Sequence, residues 1–267
     1  ERVIEALELE VPLRGTNIKV NASIGISLCG EEPVDAEELL RRADIAMYRA
    51  KENGRGRYEI FDIEMHSRTV MMLRTETDLR RAIGTDEIIV YYQPIMELAT
   101  MQVAGFEALV RWQHPKKGMV SPADFIPVAE DSGLIVPLGR QVLVEACRQT
   151  NEWHRRLNLR PTISVNVSAH QLQRDDVVGL LRDTLESTGL EPKYLKLELT
   201  EGVFIEYQKG QRHTLDEIKA MGVGLAIDDF GTGYSSFGYL GKLPIQTLKL
   251  DRSFIRGLPE QPDHIAI

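Results

Sequence analysis

Five short stretches of the chain alternate apolar with polar residues, and helical patterns separate most of them. They are residues 106–111, 163–168, 195–199, 225–229 and 248–251. Strands that alternate with helices predict an α/β fold with parallel strands, either a barrel or a doubly wound sheet. Parallel strands are usually covered on both faces and mostly apolar, so a polar row within them must face an interior that satisfies it. Polar residues at the carboxyl ends of many strands favour the barrel, whose sites lie at that rim.

Carboxylates are prominent among the polar residues of these stretches. The polar set is Glu107, Arg111, Ser164, Asn166, Ser168, Lys196, Glu198, Asp228, Asp229, Lys249 and Asp251. Several carboxylates that converge in an interior repel one another unless cations or bases lie between them. Oxygen ligands of this kind suit Mg²⁺ or Mn²⁺. The pattern therefore predicts a metal site.

The most specific motif is the pair of adjacent carboxylates, Asp228 and Asp229, at the end of an apolar strand and before a glycine-containing turn. Two ions could share Asp228, while Asp229 serves the second ion or supports the first. The alternative is an aspartate that only caps a turn. The tripeptide Asp229-Phe230-Gly231 also occurs in protein kinases, but the chain has neither the glycine-rich loop nor the His-Arg-Asp loop of that class.

The remaining strand residues each have a functional and a structural interpretation. Arg111 could hold a phosphate oxygen through forked hydrogen bonds while Glu107 binds metal, or the two could form an internal salt bridge. Asn166 could supply a neutral carbonyl ligand, or be a buried amide. Lys249 could orient a nucleophile or stabilise developing charge, or pair with Asp251. The functional interpretation is favoured because one metal site explains all five strands, whereas the structural interpretation needs a separate explanation at each strand.

Composition limits the classes of partner. The 267 residues are 43% hydrophobic and 27% charged, which are globular values, and the net charge is −8. An acidic chain argues against binding a nucleic-acid polymer, although a small anion could bind through metal ions. Cys29 and Cys147 are isolated and predict reduced thiols. No apolar run approaches the ~20 residues of a membrane span, so we expect a cytoplasmic protein with any membrane anchor outside this chain.

The element pattern divides the chain into three parts. We predict one domain over residues 1–62, a helical linker or domain start over 63–83, and a second domain over 84–267. In the first, a strand over 18–28 precedes a helix that Asp35 and Glu38 begin in capping-box spacing and Asn53-Gly54 ends, and a strand follows at 58–61. In the second, predicted strands are 88–95, 103–112, 162–168, 194–200, 223–229 and 247–251, and predicted helices are 122–132, 137–157, 175–188 and 207–221.

Residues 72–267 resemble the EAL domain, the phosphodiesterase module for the bacterial second messenger cyclic di-GMP. The resemblance rests on Tyr92-Gln93-Pro94-Ile95, Glu107-Ala108-Leu109-Val110-Arg111, Phe125-Ile126-Pro127 with Ala129-Glu130, Asn166-Val167-Ser168 with Gln171, Glu198-Leu199-Thr200-Glu201, Asp228 to Ser236, and Leu248-Lys249-Leu250-Asp251-Arg252-Ser253-Phe254-Ile255. The resemblance implies a TIM-type (β/α) barrel whose first strand is antiparallel to the others. It also implies hydrolysis of cyclic di-GMP to linear pGpG with two Mg²⁺ or Mn²⁺ ions. The alternative is a non-catalytic cyclic di-GMP receptor or regulatory module.

The resemblance also implies a role for each site residue. Metal ligands would be Glu107, Asn166, Glu198 and Asp228, with Asp229 and Asp251 serving the second ion. Contacts to the dinucleotide would come from Gln93, Leu109 and Arg111. Lys249 would assist the nucleophilic water. Glu201 would brace the loop after Asp229, which the family uses to organise the metals and the contacts of a homodimer.

The N-terminal part resembles the last third of a GGDEF domain, the diguanylate cyclase module. The matching residues are Ala22-Ser23-Ile24-Gly25-Ile26, Ala43-Asp44-Ile45-Ala46-Met47-Tyr48-Arg49-Ala50-Lys51 and Gly54-Arg55. The resemblance implies contacts of Lys51 and Arg55 with GTP phosphates, although basic residues at a helix end also complement the helix dipole. The chain has no Gly-Gly-Asp-Glu-Phe run, so we expect no cyclase activity from it.

The resemblance also sets an expectation for the other end of the chain. The family segment with the general base and a further metal ligand, and the strand that closes the barrel, would follow Ile267. We therefore expect an incomplete barrel over these residues and leave the activity of this chain by itself open.

Overall fold

The computed structural model of the protein describes residues 11–13, 16–18, 22–29, 35–157, 159–174, 176–200, 212–231 and 243–256. The chain divides into two compact units, Glu1–Thr75 and Glu76–Ile267.

The described residues of the first unit include two pairs of short strands. Strands β1 (Val11–Leu13) and β2 (Thr16–Ile18) form an antiparallel pair. Strand β3 (Ile24–Ile26) runs parallel to β4 (Tyr58–Ile60), and helix α1 (Ala36–Glu52) connects them. The single strand predicted over 18–28 is therefore wrong, since β3 is only as long as the three-residue ladder that β4 offers it. Apolar residues continue to alternate beyond Ile26, where the described residues provide no further pairing.

Capping explains why α1 has its observed bounds. The Asp35 carboxylate accepts a hydrogen bond from the Glu38 backbone N–H at 2.7 Å, which satisfies one of the free donors of the first turn. The Asn53 N–H donates to the Arg49 carbonyl and ends the helix. Both predicted ends are confirmed.

The second unit contains a mixed sheet covered by helices. Helix α2 (Ile63–Ala82) leads into it. The further elements are β5 (Ile88–Glu97), β6 (Gln102–His114), β7 (Gly118–Val120), α3 (Pro122–Ser132), α4 (Ile135–Arg156), β8 (Thr162–Val167), α5 (Ala169–Arg174), α6 (Val177–Thr188), a 3₁₀ turn (Pro192–Tyr194), β9 (Leu195–Thr200), α7 (Arg212–Ala220), β10 (Gly224–Phe230), β11 (Thr247–Leu250) and α8 (Arg252–Arg256).

The sheet has the order β11-β10-β9-β8-β6-β5, with β7 paired to β6. Strands β6, β8, β9, β10 and β11 are parallel, and β5 is antiparallel to β6. The predicted α/β class with an antiparallel first strand is therefore confirmed. Over the described residues the sheet is open, with β5 and β11 at its edges.

The apolar positions of the central strands form the core against the helices. Ile163, Leu197 and Ile227 are fully buried, together with Leu181 of α6 and Ile218 of α7. Because side chains alternate between the two faces of a strand, this burial directs the intervening polar residues to the opposite, inner face. A second core cluster around Trp112, Phe125 and Leu138 holds α3 and α4 against the ends of β5 and β6.

Candidate metal centre

The strand register brings the polar residues of four parallel strands together. Glu107 on β6 lies opposite Ser164 on β8, and Asn166 on β8 lies opposite Glu198 on β9. Asp228 near the end of β10 pairs with Thr200 at the end of β9. Because these strands are parallel, their carboxyl ends share one edge of the sheet, as the prediction of a rim site requires.

The ammonium group of Lys249 on β11 joins three carboxylates. Lys249 Nζ donates to Glu107 Oε2 at 3.1 Å, to Asp228 Oδ2 at 3.0 Å and to Glu198 Oε2. One carboxylate oxygen from each of Glu107, Glu198 and Asp228 lies within 4.8 Å of the others, a spacing at which they could hold a metal ion. Asn166 Nδ2 donates to Glu107 Oε1 at 3.0 Å, so this side chain is in direct contact with the carboxylate cluster. The donor set consists of hard oxygens, which fits Mg²⁺ or Mn²⁺.

The two salt bridges considered as alternatives, Glu107 with Arg111 and Lys249 with Asp251, differ from the contacts observed. Glu107 is in an internal ion pair, but with Lys249 rather than with Arg111. Lys249 contacts carboxylates from three other strands, whereas Asp251 accepts a hydrogen bond from the Ser253 N–H at 2.8 Å. Burial alone would lower the pKa of Lys249, but its hydrogen bonds and the charge of Glu198 outweigh burial and raise that pKa above its usual value. Lys249 is therefore a cation at neutral pH.

The carboxylates respond to the same surroundings in different ways. Burial raises the pKa of Glu198, although the hydrogen bond and charge of Lys249 oppose that rise. Burial and the charges of Asp228 and Asp251 raise the pKa of Asp229. These groups concentrate negative charge that one ammonium group only partly balances, and a divalent cation would complete the balance.

The end of β10 departs from regular strand geometry. Asp229 has a left-handed backbone with φ of 52°, and its N–H donates to Asp228 Oδ1 at 3.0 Å. The register with β11 shifts between Ile227 and Phe230. Asp229 and Asp251 lie outside the cluster of three carboxylates, so their assignment to a second ion stays a prediction.

Substrate-contact candidates lie beside the cluster. Gln93 on β5 is directly opposite Glu107 in the antiparallel register, which places both on one face. Leu109, Arg111 and Asn166 line a cavity of about 300 Å³ between β6, β8, α3 and α4. The Arg111 guanidinium donates to the Val110 carbonyl at 2.8 Å and lies over the Tyr91 ring at 5.6 Å from its centroid.

For three of the predicted functional residues the structure provides no test. Glu201, with the loop after Gly231, lies outside the described residues. Lys51 is in the last turn of α1, in the first unit, and Arg55 follows that helix with φ of 59°. Their predicted contacts with GTP phosphates stay predictions.

One residue that supports the site was in a recognised motif but had no predicted role. Gln171 is buried, and its Oε1 accepts from the Ser168 N–H at 3.0 Å just beyond β8. Its side-chain amide packs against Gly139 of α4. The signal available in the sequence was only its distance of five residues from Asn166, because the glycine it contacts is remote in sequence.

Comparison with known proteins gives the family. The model of the EAL domain matches residues 76–267, and that of the diguanylate cyclase GGDEF domain matches residues 1–57. The chain therefore belongs to the EAL domain family, and a GGDEF part precedes the EAL domain.

Relatives and solved structures agree with this assignment. An uncharacterized signaling protein of Caulobacter vibrioides is 43% identical over 96% of this chain and 31% of its own length. The cyclic di-GMP phosphodiesterase PdeR of Escherichia coli is 38% identical over 98% of this chain and 39% of its own length. The structure of the PaMucR phosphodiesterase in complex with c-di-GMP is 41% identical, with a TM-score of 0.68 over 72% of this chain and 78% of that one. This chain thus spans less than half the length of these curated relatives. Among the described helices, none has the length and apolar character that crossing a bilayer requires.

Proposed function

We propose that the EAL domain of this protein hydrolyses one phosphodiester bond of cyclic di-GMP and releases linear pGpG. The observation that carries the proposal is the convergence of Glu107, Glu198 and Asp228 on one ammonium group at the carboxyl edge of the sheet. Relatives named as cyclic di-GMP phosphodiesterases support the substrate.

The acidic residues have distinct proposed roles. Glu107, Asn166, Glu198 and Asp228 hold one divalent cation, and Asp229 with Asp251 serves a second. The chemistry that Mg²⁺ or Mn²⁺ supplies in such sites is activation of a water molecule and neutralisation of phosphate charge.

The protein's own side chains bind and orient the dinucleotide. Arg111 lines the cavity, and its planar guanidinium group can donate two parallel hydrogen bonds to a phosphate. Gln93 and Leu109 would contact the dinucleotide beside it. Lys249 stays protonated and stabilises negative charge that develops at the phosphate. Glu201 would brace the loop that follows Asp229.

The wider setting is also part of the proposal. Residues 1–62 form a GGDEF part in which Lys51 and Arg55 contact GTP phosphates, residues 63–83 are the linker, and residues 84–267 are the EAL domain. The protein acts in the cytoplasm in second-messenger signalling, and the EAL domain mediates homodimerisation.

The test is turnover by variants of the intact protein. Glu107→Gln and Asp228→Asn keep side-chain volume but remove a charged ligand, and each should lower the rate of pGpG release by about 10²-fold or more. Glu191→Gln, at an exposed surface ion pair, is the matched control and should retain activity. Chromatographic detection of pGpG in the presence of Mn²⁺ measures the rate. Unchanged turnover in Glu107→Gln or Asp228→Asn would contradict the assignment.

Two measurements on the wild-type protein distinguish hydrolysis from a receptor function. Calorimetry with cyclic di-GMP and Ca²⁺ measures binding, and addition of Mn²⁺ then measures cleavage. Binding without any cleavage in wild-type protein would replace the proposed hydrolase by a receptor.

A further inference from the structure

Strand β8 contacts both strands that carry the most buried carboxylates. Ser164 on β8 lies opposite Glu107 on β6, and Asn166 lies opposite Glu198 on β9. Asn166 donates to Glu107 across the diagonal of these pairs. Ser164 is the diagonal neighbour of Glu198 on the other side of β8. Diagonal neighbours across adjacent strands are within reach of each other, so β8 places a polar side chain beside a carboxylate on each side.

Glu198 depends strongly on its protein donors. Its residue is 2% exposed and Ser164 is 1% exposed, so bulk water does not replace a lost hydrogen bond at this position. Its Oε2 accepts from Lys249. Lys249 reaches Glu198 from β11, whereas the buried Ser164 hydroxyl on β8 is a second donor group within diagonal reach of the Glu198 carboxylate.

We propose that Ser164 is a positioning residue, whose hydroxyl orients the Glu198 carboxylate for binding a divalent cation. The inference rests on the metal site of the proposed function and adds a residue to which no role was assigned. Groups that hydrogen-bond to metal ligands fix the orientation of those ligands, and their loss typically costs 10- to 100-fold in metal affinity.

Calorimetric titration of Mn²⁺ into the intact protein tests the inference without reference to turnover. Ser164→Ala should raise the Kd for Mn²⁺ by about 10-fold. Ser164→Thr keeps the hydroxyl and should bind Mn²⁺ more tightly than Ser164→Ala. At saturating Mn²⁺, the KM for cyclic di-GMP should equal that of wild type, because Ser164 is not among the proposed contacts to the dinucleotide.

A matched control separates this effect from general destabilisation. Thr150 on α4 is fully buried, and its hydroxyl donates to the Ala146 carbonyl at 2.8 Å, within the helix. Thr150→Val removes a buried hydroxyl of similar depth and should leave the Kd for Mn²⁺ unchanged. Thermal unfolding of both variants shows whether they are folded at the temperature of the titration.

The outcomes separate the two levels of the proposal. If wild type binds Mn²⁺, Asp228→Asn does not, and Ser164→Ala binds as wild type does, the role of Ser164 is wrong and the metal site stands. If wild-type protein itself binds no Mn²⁺, the proposed function and the role of Ser164 are both wrong. A weakened Kd in Ser164→Ala, with Thr150→Val unaffected, supports the inference.

Discussion

Lys249 shows how far residue-level reasoning from the sequence extends. A lysine within a nearly apolar strand must find a partner, and Lys249 does have ionic partners in the structure. Its actual partners could not be derived from local pattern, since Glu107 is 142 residues away. The sequence neighbour considered as an alternative, Asp251, instead accepts from Ser253. Parity along a strand gives the face that a side chain occupies, whereas the register between strands decides what it meets.

Replacing Lys249 by Met should destabilise the protein in the absence of divalent ions. Three carboxylates would then face one another without a cation. We expect a loss of about 2 kcal/mol, below the cost for a fully buried pair because the Lys249 side chain keeps 28% of its exposure. Urea denaturation in EDTA measures this loss, and added Mn²⁺ should stabilise the variant more than wild type, since the ion supplies the missing charge.

The control for this substitution is Lys193→Met. Lys193 also pairs with a carboxylate, but its side chain is 62% exposed. Surface pairs of this kind contribute roughly 0–1 kcal/mol. Equal losses in Lys193→Met and Lys249→Met would show that burial of the Lys249 cluster has no energetic consequence.

At the scale of elements, the bounds of a helix could be predicted from the sequence where capping residues flank it. Helix α3 has the predicted bounds, with Ser121 as its N-cap and Gly133, at φ of 76°, as its C-cap. Strand β7 was not predicted, because three residues are too few to show alternation. Its existence depends on pairing with β6, a contact that no local pattern reveals.

The packing of α4 against the end of β8 makes Gly139 sensitive to substitution. A Cβ at this position would lie 2.0 Å from Gln171 Nε2, and Gln171 is buried and bonded to Ser168. Gly139→Ala should therefore destabilise the protein by about 1–3 kcal/mol. Helix propensity alone predicts the opposite sign, a gain of roughly 0.5–1 kcal/mol. Urea denaturation decides between the two.

Two companion variants identify the cause. Gly224→Ala on β10 should have a much smaller effect, because its Cβ would meet Lys196 at an ordinary 3.4 Å. Adding Gln171→Ala to Gly139→Ala should recover part of the loss by removing the clash. If the loss of unfolding free energy in the double variant equals the sum of the losses in the two single variants, contact with Gln171 is not the cause.

At the scale of the whole molecule, carboxylates with shifted pKa values change the stability of the fold with pH in two opposite ways. The Arg41 and Arg42 hydrogen bonds hold the pKa of Glu38 at about 2, and Lys117 lowers the pKa of Asp78. Because these folded-state pKa values are depressed, their stabilisation is present above the ordinary values and is lost as the pH falls. The pKa values of Glu198 and Asp229 are raised, so their contribution is present in acid and is lost as the pH rises through the folded-state values.

The raised pKa of Glu198 predicts that stabilisation by divalent ions depends on pH. Metal binding requires deprotonated carboxylates. The rise in Tm that Mn²⁺ produces should therefore be larger at about pH 7.5 than at about pH 5. Thermal unfolding with Mn²⁺ or with EDTA at both pH values measures it. Asp228→Asn should abolish the rise at both, and a wild-type rise independent of pH would contradict this account.

Fold class at this scale was predictable because alternating strands and helices leave few topologies. The antiparallel direction of β5 was predicted from the family resemblance. It agrees with the short connection over residues 98–101, because a parallel crossover needs about a dozen residues or more.

The left-handed backbone at Asp229 limits how this family member can change over evolutionary time. At φ of 52°, β-branched and bulky residues are strained, whereas Asn and Gly accept the conformation. During evolution Asp229 could therefore be replaced by Asn or Gly, which removes the carboxylate without changing the backbone of β10. Routes through valine or isoleucine would disturb the strand end itself. If the proposed hydrolase evolved into a protein that only binds its nucleotide, loss of this carboxylate would therefore proceed most readily through Asn or Gly.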